Sequence, residues 1–199
     1  GAIGQVQPRR LLECVRQPLS IDGAPYKVSL TCGYVLLPQE FRAGADLVKD
    51  ATIALKRAKR DHRGQVLRYS DQMGVEARSR ALLLSELREA IENRELFLVY
   101  QPQLNLVTRS VVGIEALLRW RTEDGRFVPP DKFIPVAEHS GLIVALGQWV
   151  LMAACAAMRE LLDAGVAPQR IAVNVSTVQL QDPGFLEIVC AALASRSEE

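Results

Sequence analysis

The sequence is short of the residues that most transition-metal and redox sites use. Only two of its 199 residues are histidine, and its cysteines show no Cys-x-x-Cys pair. A zinc site built on histidine and cysteine is therefore disfavoured, and any metal would be held by oxygen ligands. Because no secretory hydrophobic segment begins the sequence, we expect the cysteines to be buried free thiols in a reducing compartment. They are Cys14, Cys32, Cys155 and Cys190.

Excess charge of either sign is also missing. Lysine and arginine total 24, aspartate and glutamate total 23, and the hydrophobic share is 49%. This balance excludes a disordered chain and gives no support for bulk electrostatic binding of nucleic acid, so no DNA or RNA partner is expected. The length fits one or two domains. Since the sequence does not begin with methionine, we expect it to be a piece of a longer protein or a processed product.

One uncharged run is long enough to raise the question of a membrane helix. Residues 141–158 carry no charge, which reaches the threshold of about 18 apolar residues. However, Gln148 interrupts the run, and Arg159 and Asp163 continue the same helical pattern. We therefore expect a buried helix of an α/β domain, and no membrane contact from this chain.

Strands alternate with helices along the chain, a pattern typical of the α/β class. A break in composition over Ser70–Ser79 predicts a domain boundary there, with residues 1–75 before it and 79–199 after it. Before the break, the patterns predict strands within Tyr26–Leu37, a helix over Leu47–Arg63 and a strand at Gln65–Tyr69. After the break, the patterns predict helices at 79–93, 131–138, 142–164 and 185–194, and strands at 96–100, 111–120 and 171–175. The strand at 96–100 is predicted to stop at Gln101-Pro102.

The strand at 111–120 carries the first candidate site. Side chains alternate along a strand, so Glu115, Leu117 and Arg119 share one face. A carboxylate and a guanidinium placed in this way can hold a divalent cation and the phosphate that it bridges. From spacing alone, an ordinary Glu–Arg ion pair on a half-exposed strand is the more common arrangement, and the strand by itself does not decide between the two.

Asn174 is the second candidate, because it lies within a β-branched run where an amide needs partners. Its amide oxygen is a suitable ligand for a hard cation. The alternative is a capping or turn role, since Ser176 and Thr177 can begin the next helix.

Several separated motifs together resemble the first half of an EAL domain, the bacterial phosphodiesterase of cyclic di-GMP. The resemblance covers about residues 82–193, and it is carried by Tyr100-Gln101-Pro102, Glu115-Ala116-Leu117-Leu118-Arg119-Trp120, Phe133-Ile134-Pro135, Ala137-Glu138, Gly141-Leu142-Ile143, Trp149-Val150-Leu151, Val173-Asn174-Val175-Ser176 and Gln179. It implies an EAL-type modified (β/α)8 barrel, incomplete in this chain, with the site at the strand ends. It also implies two Mg²⁺ or Mn²⁺ ions, with Glu115 and Asn174 as metal ligands. Gln101, Leu117 and Arg119 would contact the dinucleotide.

The acidic motifs that follow later in EAL domains are absent from this sequence, so the set of catalytic residues is incomplete. Two divalent ions bring a charge of +4, whereas Glu115 supplies one negative charge and Asn174 none. We therefore expect the complete protein to hydrolyse cyclic di-GMP to pGpG and this chain alone to be inactive. The alternative is a non-catalytic cyclic di-GMP-binding or regulatory module. The resemblance further implies a cytoplasmic location, with tethering to the inner membrane by segments outside this chain left open, and a homodimer through the EAL domain.

The first part of the chain resembles the C-terminal part of a GGDEF domain, the cyclase-like α/β module that often precedes EAL. The resemblance is carried by residues 28–34, by the helix at 51–59 and by Arg63, with departures at Thr52, Lys56 and His62. It implies that Lys59 and Arg63 stand where family members contact GTP phosphates. Cations at a helix C-terminus also suit the helix dipole without any ligand. The Gly-Gly-Asp/Glu-Glu-Phe turn is absent from the sequence, so cyclase activity is not expected.

Overall fold

The computed structural model describes residues 8–37, 41–166 and 168–194. The chain divides into two compact units, Gly1–Arg80 and Ala81–Glu199. Each unit is described by itself below.

The N-terminal unit contains a hairpin and a strand–helix–strand unit. Its elements are α1 (Arg10–Glu13), β1 (Leu19–Ile21), β2 (Ala24–Tyr26), β3 (Cys32–Tyr34), α2 (Gly44–Asp61) and β4 (Val66–Arg68). The strands β1 and β2 pair antiparallel around a turn at Asp22-Gly23, where both residues have positive φ. The strands β3 and β4 pair in parallel, with α2 as the connection between them.

The helix α2 packs closely on β3 because both surfaces carry small residues. Ala54 and Ala58 are fully buried one turn apart. On β3, a methyl group added at Gly33 would overlap the backbone nitrogen of Leu55 and lie 2.6 Å from the carbonyl oxygen of Ala51. Only a glycine therefore allows the strand and the helix backbone to approach this closely.

A buried carboxylate also lies on α2. Asp50 is 6% exposed, and Arg42 Nη2 lies 2.8 Å from its Oδ2. The pKa of Tyr69, which follows β4, is raised by burial and by its interaction with the Asp50 carboxylate. The ion pair compensates the burial of the charge, as a carboxylate in this position requires.

The C-terminal unit is built on a mixed four-stranded sheet. Its elements are the end of α3 (Asp71–Glu92), which begins in the N-terminal unit, and then β5 (Leu96–Leu104), β6 (Val111–Arg121), β7 (Phe127–Val128), α4 (Pro130–Ser140), α5 (Leu142–Asp163), β8 (Ile171–Val173), α6 (Thr177–Leu180) and α7 (Phe185–Ala194). The central strand β6 pairs antiparallel with β5 and β7, and in parallel with β8. The crossover from β6 to β8 contains α4 and α5.

One face of this sheet carries the core. Trp120 is completely buried and packs edge-to-face against Phe133 of α4, with ring centroids 5.6 Å apart. Its Nε1–H donates to Glu95 Oε2 at 3.0 Å, so the one polar atom of the indole is satisfied. The other members of the cluster are Leu87, Ala90, Leu96, Val128, Ala137, Ile143 and Leu146.

The apolar helix α5 belongs to this unit. By length and composition it is the one described helix that could cross a membrane. It packs against α4, α6, α7, β5 and β8, and its buried residues are Ile143, Leu146, Gly147, Val150 and Ala154. A core helix of a globular domain passes the same composition test. Burial is confined to one face, as expected of an amphipathic helix packed on a core.

Three expectations from the sequence are wrong. The strand β5 does not stop at Gln101-Pro102 but continues to Leu104. Because β6 is its one partner among the described strands, β5 is an edge strand, where a proline is tolerated. The helix predicted to begin at Ser79 begins at Asp71, inside the predicted composition break. None of the cysteines is buried: Cys14 and Cys190 are exposed, Cys32 and Cys155 are partly buried, and all four are free.

Candidate functional site

The two faces of β6 have different surroundings. Ala116 and Trp120 point into the core and are buried, whereas Glu115, Leu117 and Arg119 lie on the opposite face and are half-buried. This alternation follows from the pleat of the strand. A carboxylate, an apolar side chain and a guanidinium are therefore presented in a row on one sheet face, called the site face below.

The parallel pairing of β6 with β8 brings Asn174 to the site face. Ala172 lies opposite Glu115 in the register, and Asn174 follows two residues later, just beyond the end of β8. Its Nδ2 donates a hydrogen bond of 2.7 Å to Glu115 Oε1 across 59 residues of sequence. The amide is therefore a partner of Glu115, and Ser176 takes the capping role at the next helix.

The remaining residues of the predicted site lie beside this pair. Gln101 stands directly opposite Glu115 on β5, and its side chain is exposed. Arg119 donates from Nη1 to the carbonyl oxygen of Leu118 at 2.9 Å. Among the described ion pairs, none joins Arg119 to Glu115, so the simple Glu–Arg pair that the spacing allowed does not form.

A buried polar contact lies behind Asn174. Ser176 caps α6 with a full capping box: its hydroxyl accepts from Gln179 N at 3.2 Å, and its backbone N–H donates to Gln179 Oε1 at 3.1 Å. Gln179 is 4% exposed. A methyl group added at Gly147 of α5 would overlap Gln179 Nε2 and lie 2.6 Å from Cδ. The glycine therefore makes room for the glutamine that fixes the turn after Asn174.

The contact between Gly147 and Gln179 is not predicted by the sequence patterns. In the sequence, Gly147 is one residue of an uncharged run, and Gln179 follows the motif at residues 173–176. The available signal was the spacing from Ser176 to Gln179, since Ser followed three residues later by Gln is a capping-box pattern.

A second polar contact crosses the other end of the site face. Arg170 donates to Gln103 Oε1 from Nη2 at 3.2 Å. The two side chains pass over Gly113, where a methyl group would lie 2.9 Å from Gln103 Oε1 and 3.0 Å from Arg170 Cγ. The sheet face below Glu115 is thus covered by a polar pair rather than by apolar side chains.

Only part of a divalent metal site is present in the described residues. The carboxylate of Glu115 and the amide oxygen of Asn174 are hard oxygen ligands of the type that Mg²⁺ and Mn²⁺ prefer. Their hydrogen bond shows that both side chains reach the same point in space. No group of three His, Cys, Asp or Glu side chains that could hold an ion occurs in the described ranges. The donor set therefore suits one ion incompletely and cannot by itself balance two.

The two candidates in the N-terminal unit lie near the end of α2. Lys59 is in the last turn of the helix, and Arg63 Nε donates to the carbonyl oxygen of Lys59 at 3.0 Å. This hydrogen bond satisfies a carbonyl at the C-terminal end of the helix. The contact agrees with a helix-terminal role for these cations and leaves their ligand role a prediction.

Comparisons with known proteins agree with the arrangement of the C-terminal unit. The EAL domain family matches residues 84–199. The bifunctional diguanylate cyclase/cyclic di-GMP phosphodiesterase MucR of Pseudomonas aeruginosa is 36% identical over 190 residues, which are 96% of this chain and 28% of that protein. The cyclic di-GMP phosphodiesterase NbdA of the same organism is 34% identical over 185 residues, 93% of this chain and 24% of that protein. The chain thus spans only about a quarter of the length of these relatives.

A solved structure shows the same similarity in three dimensions. The MucR phosphodiesterase in complex with c-di-GMP superimposes with a TM-score of 0.56 and 44% sequence identity, covering 59% of this chain and 48% of that one. The mixed sheet with Glu115 and Asn174 on one face, together with the family match over more than half of the chain, leads to one assignment. This chain belongs to the EAL domain family.

Proposed function

We propose that this chain contributes the N-terminal half of an EAL-type active site that hydrolyses cyclic di-GMP to linear pGpG in the complete protein. The observation that carries the proposal is the contact of Asn174 Nδ2 with Glu115 Oε1 at 2.7 Å on the face that also presents Arg119. It joins two hard-cation ligands and places a fixed positive charge on the same face. Such a set suits a metal-assisted phosphodiester hydrolysis.

Each residue of the site has a distinct part in this proposal. Glu115, through its carboxylate, and Asn174, through Oδ1, would hold a Mg²⁺ or Mn²⁺ ion, which supplies Lewis acidity for the attacking water when bound. Arg119 would neutralise charge that develops on the phosphate oxygens. Gln101, opposite Glu115, would hydrogen-bond to the dinucleotide, and Leu117 would form the apolar wall between the two ligand positions.

The chain alone is proposed to be inactive for an electrostatic reason. Two divalent ions about 3.5–4 Å apart require several carboxylates to offset their mutual repulsion, and Glu115 is the one carboxylate of the described site face. The same shortage of charge favours the second candidate function, a module that binds cyclic di-GMP without cleaving it. The hydrolytic function and the binding-only function differ in whether further acidic ligands join Glu115 in the complete domain.

We also propose that residues 1–75 are the C-terminal part of a GGDEF-like domain, followed by the partial EAL barrel of residues 79–199. The strand–helix–strand arrangement of β3, α2 and β4 supports this, as does the alignment with MucR over 96% of the chain. The hydrogen bond from Arg63 to Lys59 favours a structural role for these cations, so this unit is proposed to be regulatory rather than catalytic.

The deciding experiment measures cyclic di-GMP hydrolysis with Mn²⁺ by this chain and by an extended chain that completes the barrel. We expect turnover only in the extended chain, and loss of at least about 100-fold on Glu115→Gln, because that variant keeps the shape but removes the charge of a metal ligand. Glu187→Gln is the matched control, since this exposed glutamate lies on α7.

The outcomes separate the candidates. Binding without turnover in the extended chain would replace the enzyme by a receptor. Full activity of the Glu115→Gln variant would remove Glu115 from the site. Turnover by the 199-residue chain would show that the charge argument fails.

A further inference from the structure

We propose that Gln179 is a positioning residue, which holds the turn after β8 so that Asn174 points at Glu115 and at the proposed metal ion. The inference deepens the proposed function and rests on it, because the ion is the one that Glu115 and Asn174 would hold. Gln179 makes no contact with the ion in this proposal. It acts through Ser176 and the short backbone between Ser176 and Asn174.

Asn174 is weakly held by its own surroundings. It lies directly beyond the end of β8, and its side chain is exposed, so neither strand pairing nor burial fixes its direction. Within the part of the chain that the structure describes, its one side-chain hydrogen bond is the 2.7 Å contact with Glu115 Oε1. Such a bond is lost when donor and acceptor separate beyond about 3.5 Å. A displacement of about 1 Å at Asn174 is therefore enough to break it.

The orientation of the Asn174 amide matters as well as its position. An ionised carboxylate such as that of Glu115 only accepts hydrogen bonds, so the contact uses Nδ2 and leaves Oδ1 as the amide atom for a cation. A turned amide would present N–H hydrogens to the ion, whereas a hard cation requires oxygen. The hydrogen bond to Glu115 thus selects the orientation that the proposed ion needs.

Gln179 holds the turn that carries Asn174. Its Oε1 accepts from Ser176 N at 3.1 Å, and its backbone N–H donates to the Ser176 hydroxyl at 3.2 Å. The Leu180 N–H donates to the carbonyl oxygen of Ser176 at 3.2 Å and continues the same turn. Only one residue lies between Ser176 and Asn174, a span of about 7 Å at most. A shift of Ser176 is therefore passed along a short stretch of backbone to Asn174.

The hydrophobic core of the C-terminal unit anchors Gln179 in turn. The side chain of Gln179 is seated against α5 at Gly147, where a methyl group would overlap its Nε2. Leu146, next to Gly147 on α5, is a buried member of the core cluster. Val178, the residue before Gln179, also packs against that cluster. The glutamine therefore connects the core to the turn, and through the turn to the exposed amide of Asn174.

The size of the expected effect follows from the place of Gln179 in this series of contacts. Loss of a residue that orients a metal ligand typically weakens metal binding about 10- to 100-fold. Gln179 acts on Asn174 through Ser176 rather than by direct contact, and Glu115 remains in place when Gln179 is replaced. We therefore expect the lower end of that range, a loss of about 10-fold in the affinity for Mn²⁺.

The first arm of the test observes the Asn174 side chain by NMR in this chain, without metal. Its amide resonances are assigned by their disappearance in Asn174→Ala. We expect Gln179→Ala and Gln179→Met, which fills the niche but cannot accept from Ser176 N, to move these resonances as Glu115→Ala does. Gln179→Glu should leave them in place, because glutamate completes the same capping box. The matched control is Ala154→Gly, at a fully buried position of α5, which weakens the helix and should not move them.

The second arm measures Mn²⁺ binding to the extended chain by electron paramagnetic resonance, without substrate. We expect Gln179→Met to weaken Mn²⁺ binding about 10-fold and Gln179→Glu to restore it. In an Asn174→Ala background, Gln179→Met should have no further effect, because the residue through which Gln179 acts is gone. A merely structural role of Gln179 would weaken Mn²⁺ binding equally in both backgrounds.

Three results would overturn the positioning role. They are unmoved Asn174 resonances in both Gln179→Ala and Gln179→Met, equal Mn²⁺ affinity of the wild-type and Gln179→Met extended chains, and an equal loss of affinity in the Asn174→Ala background. Turnover tests the proposed function separately. If the resonances move and Mn²⁺ binding weakens as expected but no extended chain hydrolyses cyclic di-GMP, the positioning role stands and the hydrolytic proposal fails. If the wild-type extended chain binds no Mn²⁺, the metal site fails and the NMR arm alone decides whether Gln179 holds Asn174 on Glu115.

Discussion

Replacing Gly147 by alanine should destabilise the C-terminal unit, although the same change stabilises most helices. In a helix interior, alanine is more favourable than glycine by about 1 kcal/mol. At this position the new methyl group would overlap Gln179 Nε2, so the buried glutamine must move. Its displacement breaks the bond from Ser176 N and leaves that N–H without its acceptor, at a cost of about 1–3 kcal/mol. We expect a net loss of up to about 2 kcal/mol.

The sign should reverse when the glutamine is removed first. In a Gln179→Ala background the methyl group of Gly147→Ala enters vacated space, so only the helix preference remains and the substitution should stabilise by up to about 1 kcal/mol. The coupling energy of the two sites is then about 1–3 kcal/mol, within the range for residues in direct contact. This double-mutant cycle isolates the contact from the general effect of placing alanine in a helix.

The assay is urea unfolding of the four chains, followed by tryptophan fluorescence. Trp120 is completely buried in the C-terminal unit, and Trp149 lies on the same helix as Gly147, so both report this unit. The slopes of the unfolding curves should agree among the variants, which makes shifts in midpoint comparable. If Gly147→Ala costs the same in both backgrounds, the glutamine does not occupy the space that the glycine leaves, and the reasoning is refuted.

Two further predictions concern other parts of the chain. Gly33→Ala should destabilise the N-terminal unit by more than about 2 kcal/mol, because the methyl group would meet rigid backbone at Leu55. The control is Gly44→Ala, at an open helical position, which should be neutral or stabilising. Hydrogen exchange of the α2 amides would compare the stability of the two variants. Donation from the Thr122 hydroxyl, followed by the Arg126 backbone N–H, holds the pKa of the Asp124 carboxyl below its ordinary value. Thr122→Val should therefore raise the pKa of Asp124, and an unchanged pKa in a carboxyl NMR titration would contradict this prediction. The stabilisation of the fold by these hydrogen bonds is present above the unfolded-state pKa of Asp124 and is lost as the pH falls through its folded-state pKa.

Helices with clear end signals could be predicted from the sequence. The helix predicted at Phe185–Ala194 has those bounds. The apolar helix ends at Asp163, and Gly165 has φ +72°, as a glycine just past a helix end should. By contrast, α3 begins eight residues before its predicted start. Its first turns, residues 71–78, mix polar and small residues and include Gly74, so no regular apolar period marks them.

Features that depend on distant pairing could not be predicted. The two-residue strand β7 exists because it pairs with the end of β6, and nothing in Phe127-Val128 alone distinguishes it from a loop. The same holds for the site. Alternation along β6 indicates which side chains of one strand share a face, whereas the meeting of Glu115 with Asn174 depends on a register between strands that spacing does not reveal.

The hydrogen bond between Glu115 and Asn174 also has a consequence for the order of folding. It closes a loop of 59 residues, and the chain entropy lost in closing a loop of that length is about 4 kcal/mol. Contacts of such high sequence separation form slowly, and parallel pairing is slower than a hairpin such as β5–β6. We therefore expect the contact between Glu115 and Asn174 to form after the hairpin. An ion held by both side chains would stabilise the completed sheet relative to partly folded forms.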